Sequence, residues 1–226
     1  STSRGLGDVY KRQVLECDYR KAPENKYPAA HNDTEDAVLY VLANEHAYDT
    51  TRISVGGSSA GGNMALSLSA RLGSERIKSC FALYPAAHLT HPERLDTVMG
   101  CVSDKFRSGV VIPNWCMKLF INAYTTPGTD MNDPRLSPMF YDASKFPKYV
   151  AVACGDADTL YRMSFDLMKK ISGSASGTNV DGSRRFICVF DEAHEFNTFG
   201  RTRASQEERD RVEGEAITMI RASWRQ

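Results

Sequence analysis

Short apolar runs alternate along this chain with longer segments of helical period, and this alternation limits the possible folds more than any other feature. From residue 14 onward the apolar runs, which we predict to be strands, are VLECDY, RISVGG, CFALYP, YVAVACGD and RFICVF. Segments with a helical period lie between them or close the chain, at residues 28–44, 60–72, 160–171 and around 212–224. Repeated βαβ units of this kind build a mostly parallel sheet with helices on both faces. We therefore expect an α/β fold.

The length of 226 residues suits one domain, which we place at residues 14–226. Residues 1–13 mix glycine, serine and charge without an apolar period, so we expect a non-native or disordered tail there. The period also blurs at about residues 88–139, where prolines accumulate around one helical stretch, Trp115 to Tyr124. We interpret this segment as a cap-like excursion over the active face.

Charge and cysteine content narrow the possible partners. The 28 basic side chains equal the 28 acidic ones, so no long-range field favours nucleic acid or an anionic membrane, and a small molecule is the expected partner. No run approaches the ~20 apolar residues of a membrane span. The six cysteines show neither CxxC nor metal-ligand spacing, so we expect no metal and a reducing, cytoplasmic location.

A glycine- and serine-rich pentapeptide, Gly57-Ser58-Ser59-Ala60-Gly61, lies between a predicted strand and a predicted helix. This G-x-S-x-G pattern in this context is typical of a nucleophile elbow, a strained turn that presents a serine at the end of a sheet. We expect small residues to be needed on both sides of Ser59. The helix that follows would direct the Ala60 N–H toward a developing oxyanion. The alternative is an ordinary turn before a helix.

A serine hydroxyl is a weak nucleophile without a base, and in α/β-hydrolases the triad follows the chain order Ser, Asp, His. Asp158 follows the strand YVAVACGD, and His194 follows the strand RFICVF. Because the carboxyl ends of parallel strands meet at one edge of a sheet, these side chains should converge with Ser59. Asp156 follows the same strand as Asp158 and is the alternative acid. The remaining histidines, for which we expect structural or solvated roles, are His31, His46, His88 and His91.

Several motifs resemble those of the hormone-sensitive-lipase-like esterases, a family of the α/β-hydrolase fold. DYRKAPENKYPAA is similar to the family's D-Y-R-x-A-P-E-x-x-x-P-A-A, and GGSSAGGNMA to its G-D-S-A-G-G-N-L-A. The segments LYP, DPRLSP, GDADTL and HEF match further family motifs in the family's order. Together these matches span residues 14–196, about four fifths of the chain.

The resemblance implies a carboxylic ester hydrolase that needs no cofactor and acts on small-molecule esters through an acyl-enzyme. It implies Ser59 as nucleophile, His194 as general base and then acid, and Asp158 as the group that orients the imidazole. It favours Asp158 over Asp156 because Thr-Leu follows Asp158 where the family has Pro-Leu. Two residues depart from the family pattern: Ser58 replaces an aspartate, and Thr159 replaces that proline.

The family's H-G-G-G segment, which supplies further oxyanion donors, has no counterpart before Val14. We therefore expect that the first strands are missing, that the chain is N-terminally truncated, and that activity is reduced. Three other interpretations stay open. The same triad serves amidases such as formamidases, the same scaffold serves non-catalytic small-molecule receptors, and a truncated chain could be inert.

Overall fold

A computed structural model describes residues 13–200 and 202–225, and its centre is a four-stranded sheet. The strands pair in chain order and all run parallel. Their bounds are β1 Ser54–Ser58, β2 Ser79–Leu83, β3 Tyr149–Gly155 and β4 Arg184–Val189. Each overlaps an apolar run that the alternation pattern identified, so the parallel α/β prediction is confirmed. The tail predicted at residues 1–13 lies almost entirely outside the described residues.

Helices connect the strands and close the chain. Their bounds are α1 Ala29–Ala43, α2 Ala60–Arg76, α3 Asn114–Tyr124, α4 Tyr161–Ser172, α5 Phe196–Phe199 and α6 Arg203–Ser223. Three short 3-10 helices span Pro92–Thr97, Pro138–Phe140 and Ala143–Lys145. Parallel strands need such crossover connections, since a hairpin cannot join them.

The sheet is covered on both faces, as the sequence predicts. On one face α2 and α4 pack against side chains such as Val150 and Val152. On the other face α6 buries Val212 and Met219 against Ala151 and Ile187. Because successive strand residues point to opposite faces, β3 supplies both cores and its interior is almost fully buried.

The prediction of a strand at VLECDY is wrong. Residues 14–19 have no strand pairing, and residues 14–16 are exposed. The segment is held against α1 instead, where the backbone N–H and guanidinium of Arg20 donate to Asp33 and Cys17 Sγ donates to the Asp33 carbonyl. A strand requires a neighbour to pair its backbone groups, and α1 offers side chains but no open ladder.

Asp33 and Glu35 of α1 bind basic side chains of neighbouring segments. The helix begins at Ala29, and its first turn contains no acid. Asp33 binds Arg20, and Glu35 forms ion pairs with Arg71 and Arg135. These carboxylates therefore connect α1 to neighbouring segments.

The excursion at residues 88–139 contributes to the main core. Leu95, Met117, Ile121 and Leu136 are buried in the same cluster as the side chains of α2 and α4. The opposite side of α3 is apolar yet exposed, with Trp115 and Leu119 more than half accessible. Its role as a cap over the active face stays a prediction.

Candidate active site

Ser59 occupies a sharp turn between β1, which ends at Ser58, and α2, which begins at Ala60. Its backbone has φ 53° and ψ −116°, a region that non-glycine residues rarely adopt. The Ser59 N–H donates to the Leu83 carbonyl at 2.9 Å, which fixes the turn to the end of β2. Ser59 caps no backbone N–H of α2 with its side chain, so the hydroxyl is available to other groups.

The expectation that small residues are needed on both sides of Ser59 is confirmed at Gly57 and not at Gly61. A Cβ on Gly57 would lie 2.5 Å from the Gly61 carbonyl carbon and oxygen, so a side chain cannot fit there. A Cβ on Gly61 would meet no atom within 4 Å among the described residues. The next residue, Gly62, is more crowded than Gly61, since its Cβ would lie 3.1 Å from Pro85 Cβ. The pentapeptide pattern alone does not reveal this difference.

His194 lies between Ser59 and Asp158. Its Nε2 is 3.0 Å from Ser59 Oγ, and its Nδ1 is 2.8 Å from Asp158 Oδ2. Asp158 is fully buried, and its other oxygen accepts from the Leu160 N–H at 2.8 Å. His194 is 4% exposed. The structure thus brings together the three side chains that the sequence predicts.

Asp156 has a different position from Asp158, although both follow β3. Its Oδ1 accepts from the Asp191 N–H at 2.8 Å, and its carbonyl accepts from the N–H groups of Val102 and Ser103. Burial raises the pKa of the Asp156 carboxyl above its ordinary value. Its side chain therefore anchors the loop before His194, and the carboxylate that meets the imidazole belongs to Asp158.

Tyr84 is a site residue that sequence reasoning did not single out. It is 1% exposed, and its ring lies against the imidazole of His194 with the centroids 4.5 Å apart. Its hydroxyl donates to Asn197 Oδ1 at 2.5 Å, and burial raises its pKa well above the usual range. Tyr84 belongs to the LYP segment, which matches a family motif, whereas Asn197 belongs to none of the matched motifs.

The two departures from the family pattern have distinct surroundings. Ser58 is exposed at the end of β1, and the imidazole of His194 contacts the neighbouring Ser59 instead. Thr159 donates its hydroxyl hydrogen to the Ile112 carbonyl at 3.0 Å. A proline could not form this bond, which connects the Asp158 loop to the excursion.

The position of Ala60 fits its expected role beside the nucleophile. As the first residue of α2, it has an N–H without an acceptor inside the helix, at the end where the helix dipole is positive. Ala60 is exposed. This N–H is a candidate oxyanion donor.

The buried histidine outside the triad, His31, supports the elbow helix. Its Nε2 is 3.2 Å from Asn63 Oδ1, and its Nδ1 is 2.8 Å from the Tyr124 hydroxyl. Burial, together with the nearby Arg135 charge, lowers its pKa to about 4. Asn63 also donates to the carbonyls of Ala86 and Leu136. His31 therefore connects α1, α2 and α3 as a neutral group.

Neither a metal cluster nor a membrane helix occurs in the described part of the chain. Residues 13–200 and 202–225 contain no group of three His, Cys, Asp or Glu side chains that could hold a metal ion. No helix in these ranges has the length and apolar character that crossing a membrane requires.

Comparison with known proteins agrees with this geometry. The model of a family described as alpha/beta hydrolase fold matches residues 3–196, which is most of the chain. The chain belongs to this alpha/beta hydrolase family. Its parallel sheet, two-sided helical cover and strand-to-helix turn at Ser59 are thus family features.

Two curated relatives and one solved structure illustrate the similarity. The chain is 31% identical over 176 residues to the carboxylic ester hydrolase LipN of Mycobacterium tuberculosis. That alignment covers 75% of this chain and 46% of LipN. It is 31% identical over 169 residues to the versiconal hemiacetal acetate esterase stcI of Emericella nidulans, covering 70% of this chain and 55% of that one. The crystal structure of EstE1, a thermostable carboxylesterase from a metagenomic library, aligns with TM-score 0.76 at 25% identity. That alignment covers 98% of this chain and 72% of EstE1.

The chain spans roughly half or less of the curated relatives it matches, with 40% coverage for an AB hydrolase superfamily protein of Schizosaccharomyces pombe.

Proposed function

We propose that the chain is a serine hydrolase that cleaves carboxylic esters with Ser59, His194 and Asp158. The observation that carries this proposal is the continuous contact from Ser59 Oγ to His194 Nε2 at 3.0 Å and from His194 Nδ1 to Asp158 Oδ2 at 2.8 Å. A carboxylate on Nδ1 keeps the proton there, so that the Nε2 lone pair faces the serine hydroxyl. The esterase names of two relatives support the same reaction class.

The reaction begins when Ser59 Oγ attacks the ester carbonyl carbon while His194 Nε2 takes the hydroxyl proton. Asp158 stabilises the resulting imidazolium, and the Ala60 N–H donates to the oxyanion of the tetrahedral intermediate. The intermediate collapses, and the alcohol leaves with the proton from Nε2. Water then attacks the acyl-enzyme by the same proton transfers in reverse order, which releases the acid and restores Ser59.

The surroundings of the imidazole favour this function over a merely structural contact. Tyr84 packs on its ring, and the burial of Asp158 limits competition from water for the Nδ1 proton. A carboxylate in such a site interacts with an imidazolium more strongly than it would in water. The residues around the triad are therefore suited to stabilising charge that appears on His194 during acylation.

The matched serines in the turn provide the experiment. We expect Ser59→Ala to lower kcat for p-nitrophenyl butyrate hydrolysis by a factor of ~10⁶, since removal of a triad nucleophile costs about that much. Ser58→Ala keeps most of the activity because its hydroxyl is not the one at His194. Equal loss in both variants, or no serine-dependent turnover in the parent chain, contradicts the proposal. The p-nitroanilide of the same acid, assayed in parallel, measures the preference between ester and amide.

We also propose a small-molecule ester as the partner and the cytoplasm as the location. Cell fractionation with an antibody against the chain tests the location, and enrichment with membranes or in the culture medium would contradict it.

A further inference from the structure

Glu192 is a charged side chain with no contact to solvent, two residues before His194. It is 0% exposed. Burial of a carboxylate is costly unless hydrogen bonds or an opposite charge compensate. Glu192 has both, since Ser108 Oγ donates to Oε2, Ser205 Oγ donates to Oε1 at 2.7 Å, and Arg107 Nε lies 3.8 Å from Oε1.

The partners of Glu192 belong to segments that are far apart in the sequence. Ser108 and Arg107 lie in the excursion, 84 and 85 residues before Glu192. Ser205 lies in the first turn of α6, where its N–H is also capped by the Thr202 hydroxyl at 3.1 Å. Glu192 therefore connects the loop after β4 to the excursion on one side and to α6 on the other.

The main chain of Glu192 makes a third connection, to the loop that carries the triad acid. Its carbonyl accepts from the Ala157 N–H at 3.1 Å, directly before Asp158. One residue thus contacts the loops of both Asp158 and His194. A shift of Glu192 would change the separation of the two side chains that form the 2.8 Å contact.

The excursion also pairs with the backbone of His194. The Val110 N–H donates to the His194 carbonyl at 2.7 Å, and the His194 N–H donates to the Val110 carbonyl at 3.1 Å. Gly109 makes this approach possible, with φ 97° and no Cβ to overlap the carbonyls of Ala193 and His194. Because Ser108 is adjacent to this pairing, its bond to Glu192 holds the paired segment in place.

We propose that Glu192 is a positioning residue for His194. Its carboxylate accepts hydrogen bonds from Ser108 and Ser205 and so holds the backbone around His194 at the distance that Ser59 and Asp158 require. The inference rests on the proposed function, because the imidazole needs this placement only if it transfers a proton. Glu192 touches no reacting atom, so its effect passes through the position of the ring.

Glu192→Gln tests the inference with little change in shape. The amide removes the charge that faces Arg107, and its NH₂ group can only donate where the carboxylate accepts from a serine hydroxyl. Asp191→Asn is the matched control, since it neutralises an exposed carboxylate in the same loop at a left-handed position that asparagine tolerates. Ser205→Ala is a second variant, which removes one partner and leaves Glu192 in place.

The first measurement is the rate at which a fluorophosphonate labels Ser59, with thermal unfolding followed in the same samples. We expect Glu192→Gln to label about 10- to 100-fold more slowly while folded, because small displacements of a positioned catalytic group have effects of this size. Ser205→Ala should slow labelling by a smaller factor, and Asp191→Asn should match the parent.

The second measurement is the proton resonance of the His194 Nδ1–H group, assigned by its loss in His194→Gln. We expect it to shift or broaden in Glu192→Gln and to stay unchanged in Asp191→Asn. Labelling and resonance both at parent values in folded Glu192→Gln would overturn the inference, even if the variant were less stable. If the fluorophosphonate never labels the parent chain but the resonance still changes in Glu192→Gln, the result would support the positioning role and contradict the proposed function.

Discussion

The nucleophile and its base are held by different kinds of structure. Ser59 lies at the outer strand of the described sheet, in a strained turn that depends on the close approach at Gly57 and on one hydrogen bond to the Leu83 carbonyl. Asp158 and His194 lie at the ends of β3 and β4, almost fully buried, and are held by contacts with segments many residues away. The comparison indicates that five consecutive residues are enough to mark the nucleophile in the sequence. The position of its base depends on contacts that only the folded chain brings together.

The largest expected difference between the two regions concerns the acid at the end of β3. Asp158→Asn should lower kcat for ester hydrolysis by about 10⁴-fold, because the amide favours the wrong tautomer of the imidazole. Asp156→Asn is the matched control, since asparagine retains the oxygen that accepts from the Asp191 N–H. Steady-state kinetics with p-nitrophenyl butyrate checks the pair. The reverse ranking would remove Asp158 from the triad.

The elbow region should show an acid sensitivity that originates in His31. Burial lowers its pKa from 6.5 to about 4, so the folded state keeps the imidazole neutral while the unfolded chain takes up a proton below pH 6.5. This group's contribution is therefore lost as the pH falls from 6.5 toward 4, by up to about 3 kcal/mol in the free energy of unfolding.

Urea unfolding at a series of pH values measures this contribution. His31→Gln should be less stable than the parent at pH 7 and should lose less stability between pH 6.5 and 4. His46→Gln is the control, since His46 lies in an exposed turn after α1. Parallel pH profiles for the parent and His31→Gln would contradict the assignment of His31 as a buried neutral group.

The smallest effect concerns the glycines of the elbow, where the two flanking positions should behave differently. Gly57→Ala should lower the free energy of unfolding by about 1–3 kcal/mol, because its Cβ overlaps the Gly61 backbone. Gly61→Ala should leave it unchanged or raise it slightly, since the added methyl group enters open space in a helix. Equal losses in the two variants would contradict the difference in surroundings between Gly57 and Gly61.

Sequence reasoning reached the parallel sheet, the helices and the three triad candidates because each has a local signal. Apolar runs mark β1 to β4, the pentapeptide marks Ser59, and the position after a strand marks His194. The same position marks both Asp156 and Asp158, and the family resemblance favoured Asp158. It failed at VLECDY, whose residues have strand propensity but pair with no strand in the described structure. Propensity describes one segment, whereas pairing depends on which neighbour is present.

The supporting contacts had no local signal. Glu192 and Ser108 are ordinary polar residues in the sequence, and their contact joins positions 84 residues apart. Tyr84 belonged to a recognised motif, but its contact with the His194 ring depends on the left-handed turn at the end of β2. Such contacts follow from the packed fold, so a single sequence does not predict them.

The most direct test of the central claim is the site at which a fluorophosphonate attaches, determined by peptide mass spectrometry of the labelled chain. The account predicts one adduct, on Ser59, that disappears in Ser59→Ala and is greatly reduced in His194→Gln, while Ser58→Ala keeps it. An adduct on Ser58, or labelling of Ser59 at an undiminished rate in His194→Gln, would contradict the claim that His194 activates Ser59.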